Sequence, residues 1–127
     1  MLPVRHLTRV QDDHIADVAG TDQAWLAGGW SDRFGLPFED RATGWSHTAE
    51  EVGAFRVGSG ELLSGYHDAV YGRTLAFVRT LTEPDLDRIV DTRWDPPVTL
   101  GVRLVSVIDD DAQHAGQAAF LRGLIVA

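Results

Sequence analysis

Apolar side chains recur every three or four residues along three long stretches of the chain, as they do on the buried face of an α-helix. The first stretch runs from residue 4 to residue 19, and the second from about 48 to about 81. The third begins near Leu100 and continues to Leu121 or beyond. Little of the remaining sequence alternates with the two-residue period of a strand. The pattern therefore predicts three substantial helices and an all-α fold.

Glycines and polar residues mark where these helices begin and end. Gly20 follows the first helix as a C-terminal cap, and Thr21–Asp22 offer N-cap oxygens to a short turn. Thr48–Glu51 form a capping box at the start of the second helix, and Thr82–Asp85 predict a further helix of one or two turns. Asp95–Pro97 stop the chain before the last helix. The helices are therefore separated by distinct connections.

Two of these connections are long. Residues 28–47 contain glycines, a proline and several aromatic side chains, which indicates a loop packed against the helices. Residues 91–98 cross back before the last helix and include Trp94. The second helix contains glycines, which predict either close helix contacts or a break near residues 58–60. We expect one antiparallel helical-bundle domain with long crossovers over residues 1–127.

Composition narrows the chemistry. The chain has a formal net charge of −8, no cysteine and no lysine. An acidic chain does not attract phosphates, which argues against nucleic-acid partners. The missing residue types exclude disulfides, thiolate metal ligands, a cysteine nucleophile and Schiff-base chemistry. No apolar run approaches 18 residues and the first residues do not resemble a signal peptide, so we expect a cytoplasmic protein without membrane contact.

The last helix carries the most distinctive polar residues. Asp110 and His114 are four residues apart and project from one helix face, so their oxygen and nitrogen atoms can bind one divalent ion. Arg103 and Gln117 lie on the same face. The same spacing also occurs in ordinary helical ion pairs, and the acidic run at residues 109–111 is compatible with a solvated face.

His6 adds a possible third ligand from the first helix. Alone, a histidine between apolar residues is more often a hydrogen-bonded core residue than a metal ligand. In a bundle, however, His6 can face Asp110 and His114. Two nitrogens and one carboxylate leave an open coordination position, which is typical of catalytic rather than structural metal sites.

With these residues the chain resembles the DinB-like superfamily of metal-dependent four-helix-bundle proteins, which includes thiol-dependent S-transferases. The family carries a histidine followed by leucine in its second helix, and His6–Leu7 match this pair. Its last helix carries two ligands at the spacing of Asp110 and His114, followed by the equivalent of Gly116–Gln117. The first of those ligands is usually histidine, and in the isomerase-like branch it is a carboxylate. Trp94–Pro97 belong to the resemblance as well.

The resemblance implies a divalent ion held by His6, Asp110 and His114. Zinc is the first expectation, with nickel, iron or manganese as alternatives. The implied reaction is thiol transfer: the ion lowers the pKa of a low-molecular-weight thiol of the mycothiol type, and the thiolate attacks a small electrophile.

The resemblance also predicts the surroundings of this reaction. Trp94 is expected to pack at the end of the bundle beside the site, where it can also contact a substrate. Arg103 is expected to hold a carboxylate or thiolate substrate, and the alternative is a salt bridge to one of the acids. Gln117 is expected to contact the cofactor. His14 is expected at a helix interface or in the core. Family members begin with a helix upstream of the His6 equivalent that has no counterpart here. The apolar groove left by such a helix favours a homodimer.

Two further functions are compatible with the same residues. The chain can be a non-catalytic dimeric bundle or a truncated relic, with or without metal. It can also be a metal-dependent hydrolase, in which a bound water takes the place of the thiol.

Overall fold

The fold is all-α, as the hydrophobic pattern predicts, with one small two-stranded sheet among the described residues. A computed structural model describes residues 2–34 and 60–126 of the chain. The helices are α1 Leu2–Ala19, α2 Ala24–Ala27, α3 Trp30–Phe34, α4 Gly60–Val78 and α5 Leu100–Val126. The predicted capping box at residues 48–51 and most of the predicted aromatic loop lie outside the described residues.

The end of α1 follows the sequence prediction, and the start of α2 corrects it. Gly20 has a φ of 70°, and the Thr21 N–H donates to the carbonyl of Ala16 over 3.0 Å, which closes the helix end. The N-cap of α2 is Gln23, not Thr21 or Asp22. The reason is a side chain from another helix. Asp12 of α1 accepts hydrogen bonds from the first N–H groups of α2, so no local cap is needed.

Aromatic side chains fill the space between α2, α3 and α4. Trp25 packs against Phe34 with ring centroids 5.0 Å apart, and against Tyr66 with centroids 5.1 Å apart. Trp30 lies over α4 at Gly65, where the absence of a side chain lets the indole approach the helix. The buried cluster consists of Ala24, Trp25, Phe34, Leu63, Tyr66 and Val70.

A buried polar network joins α1 to this aromatic cluster. The Tyr66 hydroxyl donates to Asp12 over 2.6 Å, and Arg9 donates to Gln23 over 2.7 Å and to Tyr66 over 3.3 Å. The Arg9 guanidinium also lies over the Trp25 ring, 4.9 Å from its centroid. Burial and the Asp12 carboxylate raise the pKa of Tyr66 far above its usual value, although Arg9 opposes the shift. The network fixes the position of α1 against α4.

The segment between α4 and α5 contains a small sheet. A 3-10 helix, Glu83–Asp87, begins where the short helix was predicted, with a capping box formed by Thr82 and Asp85. Strand β1, Ile89–Asp91, then pairs antiparallel with β2, Val98–Thr99, in a register that places Ile89 opposite Thr99. The crossing segment had offered no reason to expect a sheet. Its strands have only two and three residues, too few for a two-residue period to appear.

Helices α1 and α5 pack antiparallel, and this pairing creates the site described below. At one end His6 meets His114, and at the other Asp17 meets Arg103. Arg88 holds the intervening segment by donating to the Val18 carbonyl at the end of α1 over 3.0 Å. Among the described helices, none combines the length and hydrophobicity needed to cross a bilayer.

Candidate metal centre and its cavity

Three side chains selected from the sequence converge between α1 and α5. One potential ligand atom from each of His6, Asp110 and His114 lies within 4.8 Å of the other two. The two imidazole rings meet edge to face, with centroids 4.5 Å apart. All three residues are half-buried, so they are shielded from bulk water but not sealed from it. The four-residue spacing on α5 and the antiparallel position of α1 together produce the cluster.

The hydrogen bonds of His114 and Asp110 leave one potential ligand atom available on each of these two side chains. The Nδ1 atom of His114 lies 2.8 Å from the backbone carbonyl of Asp110. Because a carbonyl only accepts, Nδ1 carries the proton and Nε2 keeps its lone pair, as in metal-ligating histidines. Within the described part of the chain, the buried Oδ2 atom of Asp110 has no hydrogen-bond partner. Two imidazoles and a carboxylate oxygen that lacks a donor fit a divalent ion.

The acids beside Asp110 have different surroundings. Asp109 is exposed and accepts a hydrogen bond from Gln113 over 2.8 Å. Asp111 is half-buried and lines a separate hollow with His67. Burial, followed by the charge of Asp110, raises the pKa of Asp111 to about 6. The acidic run is therefore not a uniform solvated face.

A cavity of about 800 Å³ lies next to the cluster, between α1, α5 and the segment that contains the two strands. Asp110 and His6 form part of the cavity wall. Trp94 also lines the cavity, and its side chain is exposed to solvent. The remaining lining residues are Val10, Asp13, His14, Asp17, Asp91, Arg93, Val98, Val102, Arg103, Ser106, Asp109 and Gln113. The volume is that of a small-molecule pocket.

Arg103 lines this cavity but is engaged by two acids. Its NH1 atom lies 3.0 Å from Asp17, and its NH2 atom lies 3.7 Å from Asp91. Asp91 also pairs with Arg93, which donates through Nε and NH2. These bonds from Arg93 hold the pKa of Asp91 well below its usual value. The expected alternative for Arg103, a salt bridge, is what the structure contains.

Comparison with known proteins decides the family. A family model described as mycothiol S-transferase matches residues 2–127. The chain belongs to the mycothiol S-transferase family. A crystal structure titled as a conserved protein from Enterococcus faecalis superposes with a TM-score of 0.91 at 36% identity, covering 98% of this chain and 74% of that one. No curated protein is similar enough to count as a relative.

The cavity of this mycothiol S-transferase family member is also lined by polar residues that were not selected as site residues from the sequence. His14 was expected at an interface or in the core, and it lines the cavity beside His6. Its Nδ1 atom lies 3.3 Å from Asp13, which in turn accepts a hydrogen bond from Gln23 over 2.9 Å. Burial and the charge of Arg103 lower the pKa of His14. Asp13 could have been found from the sequence, because it is seven residues after His6 and therefore lies on the same face of α1.

Gln117, also predicted for this mycothiol S-transferase family site, is exposed on α5, one turn beyond His114, and is not among the described residues that line the cavity. His67 stacks on Tyr71 with ring planes 11° apart and lines the hollow of Asp111, so it lies outside the cluster.

Proposed function

We propose that the chain is a metal-dependent S-transferase that activates a low-molecular-weight thiol of the mycothiol type for attack on a small electrophile. The observation that carries the proposal is the convergence of His6, Asp110 and His114 beside a cavity large enough for small molecules, with His6 and Asp110 in its wall. A site with three protein ligands leaves room for a fourth ligand from a substrate. Membership of the mycothiol S-transferase family supports a thiol in that role.

The three side chains would hold a divalent ion, with zinc the first candidate and nickel, iron or manganese the alternatives. When bound, such an ion supplies a Lewis acid that lowers the pKa of a thiol. His114 would bind through Nε2, because its Nδ1 proton is committed to the Asp110 carbonyl. Asp110 would offer Oδ2, the oxygen that lacks a donor among the described residues.

Other residues of the cavity would orient the substrates. The exposed indole of Trp94 offers an apolar surface that a substrate can cover, which would exclude water. Arg103 is oriented by Asp17 and Asp91, so we assign it to the cavity wall, where it touches substrate without carrying an unpaired charge. Gln117 remains a predicted contact to the thiol cofactor. We place the reaction in the cytoplasm, where small thiols are kept reduced.

We also propose a homodimer formed through the outer face of α5. Val105 and Ile108 are exposed there, followed by the small residues Ala112 and Gly116. Phe120 and Leu124 extend the apolar stripe to the end of the helix. An apolar stripe with small residues at its centre is complementary to a second copy of itself in an antiparallel pair.

Metal content of the purified protein tests the enzymatic proposal. We expect about one ion per chain, and a loss of ion affinity of at least about tenfold in His6→Ala and His114→Ala. His67→Ala is the matched control and should retain the ion, because His67 lies outside the cluster. Consumption of a thiol with monochlorobimane as the electrophile should fall in the first two variants alone.

Each other result identifies a different function. A chain that takes up no ion after incubation with zinc and nickel supports the non-catalytic bundle. Turnover that requires the ion but not a thiol supports the hydrolase. An ion retained in both cluster variants places the metal elsewhere and contradicts the site.

A further inference from the structure

The cavity beside the candidate metal centre has an uneven distribution of charge. If Asp110 is counted with the metal ligands, the cavity retains four aspartates and two arginines. The aspartates are Asp13, Asp17, Asp91 and Asp109, and the arginines are Arg93 and Arg103. A divalent ion would be balanced by Asp110 and a bound thiolate, so the other groups of the wall would leave a formal excess of two negative charges when they are ionised. A ligand in the cavity experiences this excess because the walls restrict its solvation.

The two arginines are already neutralised by their neighbours. Arg103 lies between Asp17 and Asp91, and Arg93 pairs with Asp91 through two nitrogens. An incoming carboxylate would have to compete with these contacts. Among the described residues of the cavity wall, both guanidinium groups have an acidic partner.

The other polar groups of the wall favour hydrogen-bond donors. His14 faces Asp13 and Asp17 on its own helix and experiences Arg103 and Asp110 from α5. Its lowered pKa leaves it uncharged at neutral pH. With Nδ1 directed to Asp13, Nε2 is left as an acceptor. Asp109, at the exposed rim, contributes another carboxylate.

We propose that this cavity selects electrophiles that carry an ammonium group or neutral hydrogen-bond donors and rejects electrophiles that carry a carboxylate. The inference rests on the proposed function, since it names the class of the second substrate of the same site. Asp13, Asp17 and Asp109 are the specificity-determining residues, and Arg103 is prevented by its pairing from binding an anion.

Binding of unreactive analogues tests the selectivity without any turnover. Three succinimides share one scaffold: N-(2-aminoethyl)succinimide, N-ethylsuccinimide and 3-succinimidopropionic acid carry a positive, no and a negative charge. Their dissociation constants are measured through the NMR signals of the Trp94 indole, with the zinc-loaded protein saturated with 2-mercaptoethanol, so that the thiol and not the carboxylate occupies the open coordination position. We expect the ammonium compound to bind about tenfold more tightly than the carboxylate, with the neutral compound between them. Equal affinities, or the reverse order, overturn the proposal.

Charge variants locate the origin of the preference. Asp17→Asn frees the NH1 atom of Arg103, so the carboxylate compound should bind about tenfold more tightly. The difference in affinity between the ammonium and carboxylate compounds should then become smaller or change sign. Asp109→Asn removes one charge from an exposed residue and frees no arginine, so it should weaken only the ammonium compound, by about threefold. Asp32→Asn, on the exposed face of α3, is the matched control and should change nothing. An unchanged order in both cavity variants contradicts the assignment.

The same scaffold separates this proposal from the proposed function. The matching maleimides are reactive, and their rates with a thiol report transfer. If the three maleimides react with no preference for charge, the proposed S-transferase activity is supported and the proposed charge selectivity is contradicted. If the succinimides bind selectively but the maleimides are not transferred to a thiol, the proposed S-transferase activity is contradicted and a cavity that prefers cationic ligands is supported.

Discussion

Tyr66 is fully buried, and its hydroxyl holds together groups from two helices. It donates to Asp12 over 2.6 Å and accepts from Arg9 over 3.3 Å. We predict that Tyr66→Phe lowers the free energy of unfolding by about 1–3 kcal/mol, because a charged network inside the core loses a donor. Urea unfolding measures the change. Tyr71→Phe, on the exposed side of α4, is the matched control and should stay within about 0.5 kcal/mol of the unaltered chain. Similar losses in both variants would show that the network contributes nothing specific.

At the scale of single residues, the sequence predicted the clustered side chains better than their surroundings. The four-residue spacing on one helix indicated Asp110 and His114. His6 was a possible third ligand from the bundle geometry, and the family resemblance strengthened that prediction. The partners of Arg103 could not be predicted, because Asp17 and Asp91 are brought to it only by the packing of α1 and β1 on α5. His14 lies between α1 and α5, which agrees with the expected interface position, but the cavity that it borders could not be predicted, for the same reason.

Helix α4 has two glycines with opposite surroundings. A Cβ at Gly65 would lie 2.8 Å from the Trp30 ring, whereas a Cβ at Gly72 would meet no atom within 4 Å. We predict that Gly65→Ala destabilises the fold by about 1–3 kcal/mol, because the indole must move from its place beside Tyr66. Gly72→Ala should instead stabilise it by about 0.5–1 kcal/mol through helix propensity alone. Thermal unfolding of both variants measures the contrast, and a stabilised Gly65→Ala would show that Trp30 yields without cost.

At the scale of elements, the helices were predictable because many residues repeat the same period. The predicted final helix from Leu100 is confirmed and runs to Val126. The second predicted helix ends at Val78 rather than near Leu81, where turn hydrogen bonds replace the helical ones. The sheet and the cap of α2 escaped prediction, since two-residue strands have no pattern and Asp12 caps α2 from a distant part of the sequence.

At the scale of the whole molecule, α5 has two faces to which we assign functions. Asp110 and His114 project towards α1. The apolar stripe begins nearly half a turn away around the helix, at Val105, and turns towards the ligand face at Leu124. A stripe from Val105 to Leu124, about 30 Å long and 10 Å wide, buries on the order of 600 Å² in a pair of copies, which is typical of weak, transient contacts. We therefore predict a concentration-dependent dimer with a dissociation constant on the order of micromolar, measured by analytical ultracentrifugation.

Charged substitutions test whether the stripe forms that dimer. Val105→Glu and Phe120→Glu should each shift the chain to monomer with little loss of stability, because both side chains are exposed. Val78→Glu, exposed on α4, is the matched control and should leave the association unchanged. A chain that is monomeric at all concentrations contradicts the dimer, as does a dimer that persists in both stripe variants.

The candidate ligands come from the first and last helices, roughly a hundred residues apart along the chain. An ion shared between them would close most of the polypeptide into one loop, so ion binding and folding would be coupled. Each tenfold excess of free ion over its dissociation constant would then add about 1.4 kcal/mol to the free energy of unfolding. A cell short of that ion would lose more than a reaction. Its proteases would also meet a larger unfolded fraction, and the abundance of the protein would follow the metal supply.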